Sequence, residues 1–514
     1  MSYLLLYQSI SLNLNKFIFL KMRFLILLCV FISTHTFAQG SRIYIVHSDN
    51  SSINEEELPG ATILLGNIHI THEGFSLKCT KAVHYKSENY IKAYGDVILN
   101  QGDTIIQTSK YTEYNGNSKK ALSWGNVKIR DPNMTLTTDT LYFDRGNQLL
   151  FYRDGATIRD SINTLTSDTG NYYLNNKKFQ AISDVVLVNP DYVLNSNHLD
   201  YYTNDGRAFL YGASTITSNE NFIYCEKGFY DTNKNISHFT KNARIEYNDR
   251  EIKADSLYYD RNIGFASATN NIVITDTINH IILKGNYAEY FEKIDSAFVV
   301  KRALAITNTN KDSLFIHGDT ILTTGKPEKR ILRVYHNVKF FKSDMSGKCD
   351  SIHSNEKTGV MQMFKEPVLW SNESQITGDT IKLITDIITD KLDSLKVLRN
   401  TFIINRDSIG FNQIKGRNLK GKFIDNDLKF VDIIGNAEVI HFVRNENQAL
   451  IGIEKSTCSE IQFVLKGGKI EHSKFIYQAE GETYPPSKLP ENVRKLRGFK
   501  WREDERPRNK NDIF

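Results

Sequence analysis

Proline is scarce in this chain: nine in 514 residues, two of them adjacent at Pro485-Pro486. Stretches with helical apolar period are few. The chain instead carries 26 Tyr and 29 Phe, with many Asn, Asp and Thr, a composition that favours sheet. Charge of one sign is also lacking. The formal net charge of +5 is mild for this length, which excludes the dense basic face of a nucleic-acid binder. No apolar run approaching 18 residues follows residue 38, so no membrane-spanning helix is expected in the mature chain, which should be soluble. The motifs of several enzyme classes are missing: HExxH, C-x-x-C, G-x-S-x-G, a P-loop, and G-x-G-x-x-G after a strand. The 13 His are scattered. His72, His84, His198, His317 and His353 take different places in the pattern below and build no common site. The reading is therefore no catalytic residues, no metal site and no cofactor.

What is present begins at the N-terminus. Met22-Arg23 precede an apolar stretch from Phe24 to Ile32, followed by small residues at Thr36 and Ala38. This is the anatomy of a secretory signal, with cleavage expected after Ala38 and residues 1–21 read as an upstream start. Cys29 lacks the preceding small residues of a lipoprotein signal. The expected location is outside the cytoplasm, with the alternative of an uncleaved N-terminal anchor.

The body is a repeat. Ser109, Thr138, Ser167, Ser196, Cys225 and Ala254 follow one another at a constant 29-residue step. Looser steps extend the series to Cys79 upstream and to Gly285, Gly318, Cys349, Gly378, Gly416 and Cys458 downstream. Each position sits in one motif: apolar, x, small, acid or Asn, x, often apolar, x, often aromatic. A second segment lies about 12 residues earlier, as in "YGDVIL" from Tyr94 and "WGNVKI" from Trp124, where a Gly-Asp or Gly-Asn kink opens a two-residue alternation. One unit is thus two strands joined by polar turns, and about a dozen units make an elongated all-β stack. The four cysteines of the mature chain all occupy the small-residue slot, where their equivalents are Ser, Thr, Ala and Gly. They are read as unpaired space-fillers.

The recurring acids Asp139, Asp168, Asp255, Asp319, Asp350 and Asp379, each followed by Ser or Thr, raise the question of an ion ladder. The Gly-rich nine-residue period of calcium-binding rolls is absent. Parity gives another reading. Ile252 and Ala254 fall on the opposite face from Leu257 and Tyr259 in an ideal strand, so the strand must bulge or bend near Asp255 to keep all four inside. The six acids are expected to be structural corners.

Gly95-Asp96-Val97, Gly125-Asn126-Val127, Thr138-Asp139 through Phe143, Ala254-Asp255 through Tyr259 and Gly435-Asn436-Ala437, behind a signal sequence, resemble the OstA-like family of lipopolysaccharide-transport proteins. The resemblance runs from about residue 60 to 440. It implies an antiparallel β jelly roll, V-shaped with two facing sheets, in a periplasmic protein that stacks end to end as a bridge towards the outer membrane. It also implies lipopolysaccharide or a related lipid as cargo, other lipopolysaccharide-transport proteins of the inner and outer membranes as partners, and end-to-end self-association. No nucleic-acid partner is implied. The inward rows that would line a lipid groove are Val97, Leu99, Val127, Ile129, Ala243, Ile245, Leu257, Tyr259, Ile272 and Ile274. The same residues would serve equally as an ordinary closed core, and the competing reading is an exported structural or adhesive β-solenoid. A third reading is an enzyme acting on extended polysaccharide.

The expected organisation is a signal over 1–38, an OstA-like β-repeat over 39–380, and a continuation with longer hairpins over 381–484. A polar tail over 485–514, expected to be disordered, closes the chain. It is basic through Lys488, Arg494, Lys495, Arg497, Lys500, Arg502, Arg506, Arg508 and Lys510.

Overall fold

A computed structural model describes residues 41–514, except 103–104, 133, 220, 248–249, 279, 310–311, 327–328, 390, 426, 446, 467–468, 486, 489 and 491–493. The signal sequence and its cleavage point lie outside the described residues. Among these residues the chain is all-β and every strand pairing is antiparallel. No described helix is long and apolar enough to cross a membrane. Two compact units divide the chain. The first holds the residues up to 161 plus 169–175, and the second holds 162–168 and 176–514. The expected boundary at 380 has no counterpart in this division. From Leu392 to Lys466 the strands lengthen to between 14 and 18 residues.

The strands that carry the small slot and those that carry the Gly-Asp or Gly-Asn kink alternate, and each is 11 or 12 residues long over most of the repeat. The kink strands hold an extra residue. Opposite the single residue Asp255 stand both Lys241 and Asn242, because pairing jumps from Thr240↔Ser256 to Ala243↔Ala254. On the other side Asn270 and Asn271 bulge in the same way. The two bulged residues sit in the left-handed region, at φ 59° and 55° for Lys241 and Asn242 and at 60° and 51° for Asn270 and Asn271. Asn and Gly tolerate that conformation best, which explains the Gly-Asn signature. The parity slip expected at Asp255 is therefore real, but the extra residue belongs to its neighbours. Ala254 and Leu257 are both buried on one face, while Asp255 itself is exposed.

The corner turns each strand into two limbs that face one another. Below, the first limb is the side holding Tyr90–Tyr94 and the second the side beginning at Val97. The small slot lies where the limbs converge. A β-carbon added at Gly318 would come within 2.5 Å of Val334 Cγ1, at Gly378 within 2.3 Å of Val397 Cγ1, and at Gly416 within 2.4 Å of Ile433 Cγ2. Each of these aliphatic side chains comes from the first limb, so close packing at the corner selects small residues. Cys79, Cys225, Cys349 and Cys458 are all free and buried in this slot. Burial pushes the Cys225 thiol up to about 11 and the Cys349 thiol to about 12.

The segment from Arg494 to Phe514, expected to be disordered, lies against the sheet of the second unit. It runs over the outer face of the second limb. Leu496 is buried with Phe402, Ile404, Ile440, Phe442 and Ile453, and Phe499 and Trp501 flank this cluster. Gln375 Nε2 donates to the Lys500 carbonyl and Gln375 Oε1 accepts from the Arg502 N–H, each at 2.7 Å. Lys348 pairs with Glu505 at 2.5 Å, and the Phe514 ring rests 4.9 Å from that of His317.

Candidate functional site, an aliphatic trough

Cross-strand register gathers the repeat into continuous rows. In the second unit, the inward row of the second limb reads Leu187, Leu194, Ile216, Ile223, Ile245, Ile252, Ile274, Leu283, each directly opposite the next. Five consecutive isoleucines on five adjacent strands span roughly 19 Å at ~4.8 Å per strand. The inward row of the first limb alternates aromatic and small: Tyr201, Ala208, Tyr230, Ser237, Tyr259, Ala266, Tyr290, Ala297. The five isoleucines and the four tyrosines are only partly buried. An apolar surface of this length that its own chain leaves partly uncovered is a candidate binding surface.

The same rows in the first unit are closed. There the second-limb row runs Ile70, Leu77, Leu99, Gln107, Ile129, Leu136, and no member exceeds 2 % exposure. Polar contacts between the limbs close it. His72 Nδ1 lies 2.6 Å from Tyr114 Oη, and the Phe75 and Tyr114 rings stack at 4.7 Å. Arg145 donates to Tyr114 Oη at 2.7 Å and to the Glu73 carbonyl at 3.0 Å, and its guanidinium covers the Phe75 ring at 4.8 Å. Gln107, buried within the aliphatic row, donates to Ser123 Oγ at 2.6 Å, so the polar insertion is satisfied.

The groove residues read from the sequence thus separate. Val97, Leu99, Val127 and Ile129 are core of the first unit, at 1–2 % exposure. In the second unit, Ala243, Leu257 and Ile272 are buried beside the corner, whereas Ile245, Tyr259 and Ile274 lie further out and are partly open. Isoleucines at 216, 223 and 252 and the tyrosines at 201, 230 and 290 complete the trough. The 29-residue step carried the signal for them, since Tyr201, Tyr230 and Tyr259 stand one step apart. Sequence gave no signal for Arg330. From the turn before Ile331 its Nη1 reaches Asp276 Oδ2 at 3.4 Å, and Arg250 Nε approaches the same oxygen at 3.7 Å. Asp276 and Arg330 are 8 % and 9 % exposed, a paired buried charge that ties the limbs together near one end of the isoleucine row.

The corner acids lie outside the trough. Asp255, Asp319 and Asp379 each accept from the side-chain amide of a bulged Asn on the next strand: Asn271 at 3.0 Å, Asn337 at 2.9 Å and Asn400 at 2.9 Å. Asp350 pairs with His336 at 3.3 Å and with Lys365 at 3.1 Å, contacts that hold its carboxyl below the usual range. The backbone N–H of Asp168 donates to the Ser183 carbonyl at the bulge. Asp139 is exposed beside the Gly125-Asn126 bulge. Among the described residues, no group of three or more His, Cys, Asp or Glu could hold a metal ion.

Residues 40–197 match a family described as OstA-like protein. No curated protein matches the chain. Among solved structures the chain is similar to LptH of Pseudomonas aeruginosa, described as the LptA-homologous periplasmic component of the lipopolysaccharide transport device. The likeness is at 14% identity, covering 19% of this chain and 76% of that one, with a TM-score of 0.18.

Proposed function

With residues 40–197 OstA-like, we propose that the protein is an exported, periplasmic lipid carrier in a lipopolysaccharide-transport pathway. Its trough shields acyl chains of lipopolysaccharide or a related lipid on the way to the outer membrane. The observation that carries this reading is the row Ile216, Ile223, Ile245, Ile252, Ile274, partly uncovered and facing the tyrosine row. Each CH₂ removed from water contributes roughly 0.8 kcal/mol, so a continuous aliphatic wall holds lipid without any chemistry on the cargo. The protein performs no catalysis in this reading, and the drive comes from partners at the inner membrane. The inner- and outer-membrane transport proteins are its partners, and end-to-end stacking of copies is part of the same proposal.

The buried core of the first unit favours a second reading for that unit alone, a closed scaffold that carries no lipid. Photo-crosslinking residues placed one at a time at Ile274 and Ile129 separate the two. A lipopolysaccharide adduct at Ile274 and none at Ile129 is the expected outcome. No adduct at either position would sink the carrier reading.

A further inference from the structure

The open stretch of the isoleucine row comes to an end that residue type does not explain. Strand pairing carries the row on from Ile274 through Leu283, Ala305, Ile316 and Phe340, all of them apolar. These four are 9 %, 2 %, 3 % and 0 % exposed, whereas Ile216, Ile223, Ile245, Ile252 and Ile274 are partly open. At the other end Leu194, paired with Ile216, is 7 % exposed. The change after Ile274 coincides with Asp276, two residues further along the same strand, and with Arg330, which reaches it from the facing limb at 3.4 Å. The turn that carries Arg330 is fixed in its turn, because the Arg330 carbonyl accepts from the Glu356 N–H at 3.1 Å. In the first unit Arg145 likewise reaches from a first-limb turn to the Glu73 carbonyl, and there the row is closed throughout.

The chemistry of this closure matters. A mouth closed by leucine or methionine would continue the apolar surface, and an alkyl chain could run on beneath it. A buried ion pair does the opposite. Each charge has exchanged water for its partner, so an alkyl chain that separates them leaves two buried charges unpaired, at a large cost. Apolar residues of similar volume are often at least as stabilising as such a pair, so stability alone does not call for charges at this point. The open length has a chemical meaning too. Five isoleucines on adjacent strands span roughly 19 Å at ~4.8 Å per strand. An extended alkyl chain, with C–C bonds of ~1.5 Å meeting at about 111°, advances ~1.25 Å per carbon, so about 16 carbons match the open row.

We propose that the Asp276–Arg330 pair is the end-stop of the trough and makes it selective for acyl chains of up to about 16 carbons laid along the isoleucine row. The inference rests on the trough carrying lipid and adds what limits the cargo. The test uses the full chain and saturated fatty acids from decanoic to eicosanoic, each below its micelle concentration, as probes of the acyl chain. Affinity is read by displacement of a fluorescent apolar dye. We expect it to rise with each added CH₂, by up to about fourfold where the group is fully removed from water. The rise should stop at about 16 carbons. In Asp276→Leu/Arg330→Met, which replaces the pair by apolar side chains, affinity should go on rising to the longest acid. The urea midpoint of this variant checks that it is folded; if it is not, Asp276→Asn/Arg330→Gln removes the charges at nearly constant shape and should shift the break in the same direction. Wild-type affinity that climbs without a break to eicosanoic acid overturns the end-stop and leaves the trough a lipid site. A break unmoved in a folded double variant also overturns it. No binding of any of the acids overturns the end-stop and the lipid-carrying trough together.

Discussion

The side-chain amide of Gln413 grips the chain on either side of Lys495: Nε2 donates to the Arg494 carbonyl and Oε1 accepts from the Leu496 N–H, each at 2.8 Å. Gln375 does the same for Lys500 and Arg502, two strands away in the same outer row. Both glutamines are almost wholly buried, at 1 % and 0 %. They stand in for a strand partner, satisfying backbone groups of the C-terminal strap where no strand runs beside it. Replacing either by Leu leaves those groups buried and unpaired, at a cost of about 1–3 kcal/mol. The expected result is a lowered urea midpoint together with new tryptic cleavage between Arg494 and Arg508. An unaltered digestion pattern in the double variant would refute the strap.

The slot glycines make a sharper test of the corner. Gly318→Ala forces a β-carbon against Val334, and Gly416→Ala forces one against Ile433. Overpacking of this kind typically costs about 1–3 kcal/mol. Val334→Ala should partly rescue Gly318→Ala, because the two side chains share one space, and a double-mutant cycle by urea unfolding reads that coupling. Additive losses would show that the slot is not what limits residue size there. Cys225→Ala should be far milder, since Ala254 fills the equivalent place one unit on.

Much of this corner was legible in the sequence, because one geometric constraint recurs in every unit. Facing limbs demand a small residue, and the bulge demands residues that accept a left-handed backbone. The bend expected near Asp255 is there, but the extra residue stands on the strands beside it: parity reveals that a slip exists between Ala254 and Leu257, not which partner holds the extra residue. The Gly-Asn pairs were the signal for that. Openness of the groove was not legible. Leu99 and Ile274 are the same kind of residue at the same place in the unit, and only distant contacts such as Arg145 to Tyr114 and Glu73 close one row and not the other. The strap was hidden because Leu496, Phe499, Trp501 and Ile513 are dispersed among basic residues. Its complement lay in the strands, where outward positions turn apolar at Phe315, Trp370, Ile404 and Ile440 after carrying Lys and Glu at Lys253 and Glu251.

Acid should loosen the strap. Hydrogen bonds from Arg502, opposed by partial burial and reinforced by Lys348, hold the Glu505 carboxyl at about 2, against an ordinary value of 4.5. A carboxylate whose pKa is depressed by folding contributes stability that is fully present above its unfolded value. That stability is lost as pH falls through the folded one. The contribution of Glu505 should therefore decline between about pH 4.5 and 2 and be constant above. Trp501 fluorescence, followed down that range in wild type and in Glu505→Gln, checks it. The variant should lack the component of the change that Glu505 supplies, and identical curves would remove Glu505 from the latch.

The trough and the closed core respond differently to a charge, and this separates binding from folding. Ile129 is 2 % exposed in the first unit, so Ile129→Asp buries a carboxylate with no partner and should cost several kcal/mol, or abolish folding of that unit. Ile252 lies in the corresponding inward row of the second unit but is partly open, with Ile245 and Ile274 on either side. An aspartate there keeps part of its hydration, so the loss of stability should be distinctly smaller, while an acyl chain laid along the row would meet a charge at its midpoint. Urea unfolding of the two variants gives the stability comparison. Photo-crosslinking from position 274 in the Ile252→Asp background gives the binding comparison. The expected pair of outcomes is a modest shift in the urea midpoint with a loss of most of the lipid adduct. A shift as large as that of Ile129→Asp would mean that Ile252 is closed core like its counterpart. Undiminished adduct in a folded variant would mean that lipid does not lie along the isoleucine row.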